Sequence, residues 1–261
     1  MKVCSWNVNS IKARKALVLE WLKHRNNDIE ILCFQEIKTV EEDFPFQDFE
    51  QFGFECHVSG QKSYHGVATC TRIPPLLTQK GLGDPVWDEQ KRIILTKIGE
   101  TSLINIYAPH GGERGTERFE YKQNWYRKLM TFLKDHDFPK KPALILGDFN
   151  IAHRDIDVYS PEELADSVGT LPEERGAFEE LLNSGLIDIY RHFNPEKKQF
   201  TWWDYIGGAI WKDQGMRIDY ILCTKPLLER VKSIGVDLWP RRRREPIPSD
   251  HAPLIVELED I

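Results

Sequence analysis

The stretch Pro142-Ala143-Leu144-Ile145-Leu146-Gly147-Asp148-Phe149-Asn150 limits the fold more than any other. It is an apolar run that breaks into Gly-Asp-x-Asn, the pattern of a buried strand leaving the core at a polar end. Side chains alternate across an extended chain, so Asp148 and Asn150 face one way while Phe149 turns back into the packing. Gly147 leaves room for another group to approach the backbone. A carboxylate and an amide at a strand mouth suit a hard cation, a water and a phosphate, which all seek oxygen or N–H partners. Gly, Asp and Asn are also turn residues, so the same letters describe a plain strand-to-loop turn. The remaining chain decides between the two.

Two units of the same kind come first. Lys2–Asn7 alternates as a strand, Asn9-Ser10 supplies a turn and cap, and Ile11–His24 reads as a helix with Ala13, Leu17 and Trp21 at helical spacing. Residues 29–34 form a second apolar run that ends in Gln35-Glu36-Ile37-Lys38. Parallel neighbouring strands would bring Asn7 and Glu36 to one rim; the plain alternative is a surface Glu36 paired with Lys38. Short strands are expected at 54–59, 66–71, 92–98 and 102–107, with antiparallel pairing. The last ends near Tyr107 and His110, for which a core aromatic and a surface histidine are the plain readings.

Residues 117–136 carry a helical pattern, and a long polar loop after Asn150 leads through Gly169 to a helix from Glu173 to about Asn183. Residues 200–205 read as an aromatic-rich strand with Trp202 and Trp203 on opposite faces. Residues 215–223 read as another apolar strand, and Asp219 inside it needs a partner. The chain closes on Ser249-Asp250-His251 and the strand Leu254–Leu258, so Asp219 could hold His251 charged and oriented.

With 261 residues, 41% of them hydrophobic, the chain can bury one large core, and neither a linker nor a short repeat interrupts it. A single domain over 1–261 is expected. No apolar run nears the roughly 20 residues of a membrane helix, and no signal peptide opens the sequence. The expected location is the cytoplasm, with the nucleoid, or the nucleus. The five cysteines lack CxxC spacing and sit in strand-like runs, so they read as reduced core residues; the eight histidines show no zinc-site spacing. A net charge of -6 argues against binding nucleic acid through bulk charge, though not against a local basic face. Lys12, Arg14, Lys15 and the four arginines at 241–244 are the candidates; for the arginine run alone, a solvated loop is the better reading.

Collected, the polar mouths are Asn7, Glu36, Tyr107, Asp148, Asn150, Asp219, Asp250 and His251. Glu36 and Asp250 with Asn7 can hold a hydrated hard cation, Mg2+ first and Mn2+ second. No nucleophile elbow or Gly-rich phosphate loop is present, which leaves direct attack by water. Asp148, steered by Asn150, would deprotonate that water, while His251 and Tyr107 would stabilise charge on the phosphate.

Trp6-Asn7-Val8-Asn9, Gln35-Glu36-Ile37-Lys38, Asn105-Ile106-Tyr107-Ala108-Pro109, Gly147-Asp148-Phe149-Asn150, Thr201-Trp202-Trp203, Arg217-Ile218-Asp219-Tyr220 and Ser249-Asp250-His251 resemble the exonuclease III family of apurinic/apyrimidinic endonucleases. The motifs at Asn7, Glu36, Asp148 and Asp250 also occur in a wider superfamily of lipid, inositol and RNA phosphodiesterases. The aromatic strand, the Gly169-to-Arg175 segment and Arg217-Ile218-Asp219 narrow the likeness to DNA repair.

The resemblance implies an α/β fold, a four-layer sandwich of two packed mixed sheets flanked by helices. It implies Mg2+-dependent cleavage 5′ to an abasic site in duplex DNA, alongside 3′-phosphatase, 3′-phosphodiesterase and 3′-to-5′ exonuclease activities, by a monomer that does not engage membranes. By position, Asn7, Glu36 and Asp250 would serve the metal, Asp148 the water, and Tyr107, Asn150, Asp219 and His251 the phosphate. Trp202, Met216 and Ile218 would accept a flipped, baseless sugar by excluding a base. Further substrate contacts are expected at Lys12, Lys38, Tyr64, Arg92, Gly169 and Arg241. Asn9, His110 and Met216 depart from residues found in other members, which bears on rate and on the balance of activities. Action on RNA, lipid or inositol phosphate, or lesion binding without catalysis, are the alternative readings.

Overall fold

The computed structural model describes residues 1–259. The chain opens on β1 (Lys2–Asn7), α1 (Ile11–His24), β2 (Ile31–Gln35), α2 (Phe46–Glu50), β3 (Glu55–Ser59) and β4 (Val67–Thr71). It continues through β5 (Leu77–Lys80), α3 (Pro85–Asp88), β6 (Ile93–Ile98), β7 (Thr101–Tyr107), α4 (Glu117–Asp135) and β8 (Ala143–Asp148). Then come α5 (Pro172–Asn183), β9 (Leu186–Asp188), α6 (Ile189–Phe193), β10 (Trp202–Trp203), β11 (Gly215–Met216), β12 (Asp219–Thr224), α7 (Lys225–Leu228), β13 (Val231–Val236) and β14 (Leu254–Leu258).

Two six-stranded sheets result, ordered β13-β14-β1-β2-β4-β3 and β5-β6-β7-β8-β12-β9, with β10 and β11 as a separate ribbon. Both sheets are mixed: β1 with β2 and β7 with β8 run parallel, and the remaining pairs are antiparallel. The strand period sorts the side chains into layers. Val3, Ile31 and Cys33 of the first sheet meet Leu103, Leu144, Leu146 and Ile221 of the second. The opposite parity of the first sheet, Cys4, Trp6, Leu32 and Phe34, packs under Val18, Trp21 and Leu22 of α1. That of the second, Ile104, Ile106, Ile145 and Tyr220, packs under Trp125, Tyr126 and Leu129 of α4 and Phe178 and Leu181 of α5. The four-layer arrangement expected from the resemblance is therefore present. No helix among the described residues is long and apolar enough to cross a membrane.

Local signals hold at the helix ends. Ser10 caps α1 by accepting from the Ala13 backbone N–H, although Ala13 itself faces solvent and Leu17, Val18, Trp21 and Leu22 form the buried stripe. Gly147 has φ 143°, and a Cβ there would strike the Ile106 carbonyl of the parallel neighbour β7. The strand expected over 215–223 is broken. Met216 pairs with Trp202 in the ribbon, whereas Asp219 pairs with Asp148 in the second sheet. Between them the Arg217 N–H donates to Asp157 O, and the Ile218 N–H to Thr201 Oγ1. The expected 200–205 strand shrinks to Trp202–Trp203 for want of a longer partner. The expectation of five reduced cysteines is corrected at two: Cys56 and Cys70 are directly opposed on β3 and β4 and form a disulfide, while Cys4, Cys33 and Cys223 are free and buried. Spacing along the chain carries no information about cross-strand register.

Candidate active site

The site forms where the two sheets part. Asn7 continues the inward parity of Val3 and Ser5, Asp148 that of Leu144 and Leu146, and Asp219 that of Ile221 and Cys223. Strand pairing then aligns them, with Asp219 opposite Asp148 on β12 and β8, and Tyr107 beside Asp148 on β7. A buried amide layer separates this mouth from the apolar core: Gln35 Nε2 donates to Asn105 Oδ1 at 2.8 Å and to Ser5 Oγ at 3.2 Å, and Asn105 Nδ2 donates to Ala68 O at 3.0 Å. These donors tie the two sheets together at this depth, although Gln35 Oε1 is buried without a hydrogen-bond partner.

Asp148 is the centre. Its Oδ2 accepts from Asn7 Nδ2 at 2.8 Å and its Oδ1 from the Asn150 backbone N–H at 2.8 Å. His251 Nδ1 donates to Asp219 Oδ2 at 2.8 Å, and its Nε2 lies 3.8 Å from Asp148 Oδ2. Asp219 Oδ1 is buried with no hydrogen-bond partner. Burial, reinforced by the charge of Asp219, pushes the Asp148 carboxyl up to about 7. Burial works against the His251 charge, but Asp219 and Asp148 overcome it and raise the imidazolium to about 10. At neutral pH the site therefore pairs a cationic histidine with a carboxylate at the edge of protonation.

The rim supplies the other groups. Tyr107 donates its hydroxyl to Glu36 Oε1 at 2.8 Å, and burial followed by the Glu36 charge lifts the phenol well above its ordinary range, so it stays a donor. Lys38 Nζ lies 3.6 Å from Glu36 Oε1 and donates to Asn9 Oδ1 at 2.6 Å, while Asn9 Nδ2 donates to Asp250 Oδ1 at 3.0 Å. Trp202 Nε1 donates to Asp250 Oδ2 at 3.0 Å. All eight polar mouths except Asp219 line one cavity of about 240 Å³, and His110 and Gly169 join its wall. Trp202, Met216 and Ile218 make the apolar side.

The remaining expected contacts separate. Tyr64 is exposed in a neighbouring groove that shares His110 with the cavity. Lys12 is exposed and paired with Asp43 at 2.8 Å, outside the cavity wall. Arg92 and Arg241 are both buried, with their guanidiniums held on backbone carbonyls, and Arg92 also lines the groove that holds Tyr64. Arg92 lies over the Tyr107 ring and donates to Tyr107 O at 2.9 Å. Arg241 donates to Trp203 O at 2.9 Å and Asp250 O at 3.1 Å. Within the arginine run Arg242 and Arg244 are exposed, and Arg243 pairs with Glu20 at 2.6 Å.

Two groups behind the wall escape sequence reasoning: Lys122 and Glu174, both 0% exposed, form an ion pair at 2.6 Å. A signal existed for one of them. Lys122 occupies the buried stripe of α4, three residues after Phe119 and four before Tyr126.

Sequence comparison matches residues 4–251 to the endonuclease/exonuclease/phosphatase family. Exodeoxyribonuclease III of Haemophilus influenzae is 35% identical over 99% of this chain and 100% of its own length. The DNA-(apurinic or apyrimidinic site) endonuclease of Dictyostelium discoideum is 33% identical over 99% of this chain and 71% of its own. Among solved structures, an AP endonuclease from Archaeoglobus fulgidus superposes with a TM-score of 0.94 at 35% identity over 100% of both chains. The 3′ phosphatase NExo from Neisseria, bound to a product DNA hairpin, superposes with a TM-score of 0.93 at 35% identity, again over 100% of both chains.

Proposed function

This chain belongs to the endonuclease/exonuclease/phosphatase family, and we propose that it is a DNA-repair nuclease that hydrolyses the phosphodiester 5′ to an abasic site in duplex DNA. The observation that carries the reading is the union, in one cavity, of a proton-handling pair, Asp148 and His251, with an apolar wall of Trp202, Met216 and Ile218. A water can be activated on one side, and a sugar without a base can be received on the other.

In this mechanism Asp148, ionised above about pH 7, takes the proton of the attacking water. The Asn150 N–H and the Asn7 amide each hold one of its oxygens and so aim the carboxylate. His251, kept cationic by Asp219, directs Nε2–H toward the phosphate oxygen on which charge accumulates, and the Tyr107 phenol is a second donor. The wall selects by exclusion, since a base attached to the sugar would collide with it.

The residues fit a hard divalent cation. Glu36, Asp250 and Asn7 present oxygen donors at one rim, the donor set that Mg2+ or Mn2+ prefers. The tightest acid cluster, Asp148, Asp219 and His251, has ligand atoms within 4.8 Å of one another, but His251 already sits between its two carboxylates. That cluster is assigned to proton transfer and the rim to the metal. When bound, the cation supplies Lewis-acid polarisation of the phosphate.

Blocked 3′ ends fit the same pocket, and 3′-phosphatase and 3′-to-5′ exonuclease activities belong to the proposal. The exposed Arg242 and Arg244, with Lys12, are proposed to hold the phosphate backbone without reading sequence. The chain acts as one catalytic domain and as a monomer, in the cytoplasm with the nucleoid, or in the nucleus.

The test is single-turnover cleavage of a duplex carrying one tetrahydrofuran abasic analogue, with Mg2+ and with EDTA, beside an intact duplex and a 3′-phosphate duplex. A metal-dependent nick 5′ to the analogue is expected. Silence on all three duplexes would overturn the reading.

A further inference from the structure

The ion pair of Lys122 and Glu174 plays no part in the chemistry above, yet its bonds run to the segments that frame the pocket. The Lys122 ammonium spends its three donors on Glu174 Oε1 at 2.6 Å, Asn150 O at 2.7 Å and His110 O at 3.1 Å. Glu174 Oε2 accepts from the backbone N–H groups of Gly169 at 2.6 Å and Leu171 at 3.2 Å. Three pocket-lining residues, His110, Asn150 and Gly169, are thus tied to one buried pair. The chain makes space for it: Gly111 has φ 95°, and a Cβ there would lie 2.8 Å from Lys122 Cδ.

Asn150 is the critical tether. It is left-handed, with φ 52°, a conformation that costs energy outside glycine. Its N–H donates to Asp148 Oδ1, its Nδ2 to Ala108 O at 2.9 Å, and its carbonyl accepts from Lys122. Without the last bond, the peptide is free to relax toward the ordinary helical region and carry the N–H away from Asp148.

We propose that Lys122 is a positioning residue for cleavage: through the Asn150 carbonyl it fixes the backbone that aims Asp148, while Glu174 balances its charge and fixes the opposite lip at Gly169. The proposal rests on the nuclease reading. A purely structural ion pair would protect the fold without acting selectively on turnover.

Lys122→Met leaves Glu174 buried and unpaired, which destabilises the fold by itself. The informative protein is therefore Lys122→Met/Glu174→Gln, in which both charges are gone and the Gln oxygen still accepts from Gly169 and Leu171. Melting temperature, kcat and KM are measured on the abasic-analogue duplex in Mg2+, with wild type alongside. The expected result is a melting temperature restored relative to Lys122→Met, with kcat down by about tenfold to a hundredfold and KM little changed. Recovery of kcat together with melting temperature, or a loss carried by KM alone, would overturn the positioning role while leaving the nuclease reading intact. An inactive wild type would bring down both.

Discussion

Two buried charge clusters flank the start of β12, two residues apart in sequence, and they are built on opposite plans. Around Arg217 the charges balance. Arg217 Nε donates to Asp157 Oδ1 at 2.8 Å, Arg191 Nη2 to the same oxygen at 2.5 Å, and Arg217 Nη1 faces Asp188 Oδ2 at 2.8 Å. Burial raises the Asp157 carboxyl, but the two guanidiniums outweigh it and hold the group below its ordinary value. Around Asp219 the charges do not balance: two carboxylates share one imidazolium, and one Asp219 oxygen has no partner. There the carboxyl of Asp148 rises to about 7. In the balanced cluster Asp157 is held ionised and Arg217 cationic, so the pair holds geometry. The unbalanced one keeps a proton mobile near neutral pH, which is what general-base chemistry requires.

The contrast can be broken most forcefully at Asp148. Asp148→Asn should lower single-turnover cleavage by about 10³- to 10⁴-fold, while a gel-shift assay finds abasic-duplex binding retained. In EDTA the same variant should lose the fall in melting temperature that the wild type shows as pH rises through about 7. The folded pKa of Asp148 lies above the ordinary 3.8, so its ionisation costs fold stability as pH rises through about 7, and the amide removes that cost. Retained cleavage, or an unchanged pH dependence of the melting temperature, would make Asp148 a structural acid like Asp157.

Arg217→Met sharpens the other side. It leaves Asp157 and Asp188 sharing one cation, so urea denaturation should report a loss of about 3 to 5 kcal/mol. Turnover by the protein that remains folded should fall less than in Asp148→Asn. A selective loss of turnover at full stability would exchange the roles of the two clusters.

Much of this was legible because strand parity is. A period of two puts Asp148 and Asn150 on one face, and two parallel neighbouring strands put Asn7 and Glu36 at one rim, as the pairing of β1 with β2 bears out. The pairing of Asp219 with His251 was legible too, since a carboxylate inside an apolar run demands a cation. What stayed hidden depends on distant partners. The break after Met216 is imposed by Asp157 and Thr201, and the disulfide by the register of β3 on β4. Arg241 and Arg242 are neighbours in one basic run, yet the first is a buried peg and the second is solvated, because only Arg241 reaches the carbonyls of Trp203 and Asp250. Lys122 showed itself as a lysine on an apolar stripe, without any sign of what it would hold.

The most direct test is the pH dependence of single-turnover cleavage on the tetrahydrofuran duplex at saturating Mg2+. With Asp148 as the base and His251 as the cationic donor, the rate should climb with an apparent pKa near 7, hold a plateau, and fall as His251 deprotonates near 10. An acid limb near 4, or a decline already under way near 6.5, would contradict the assignment of the mobile proton to Asp148 and of the charge to His251.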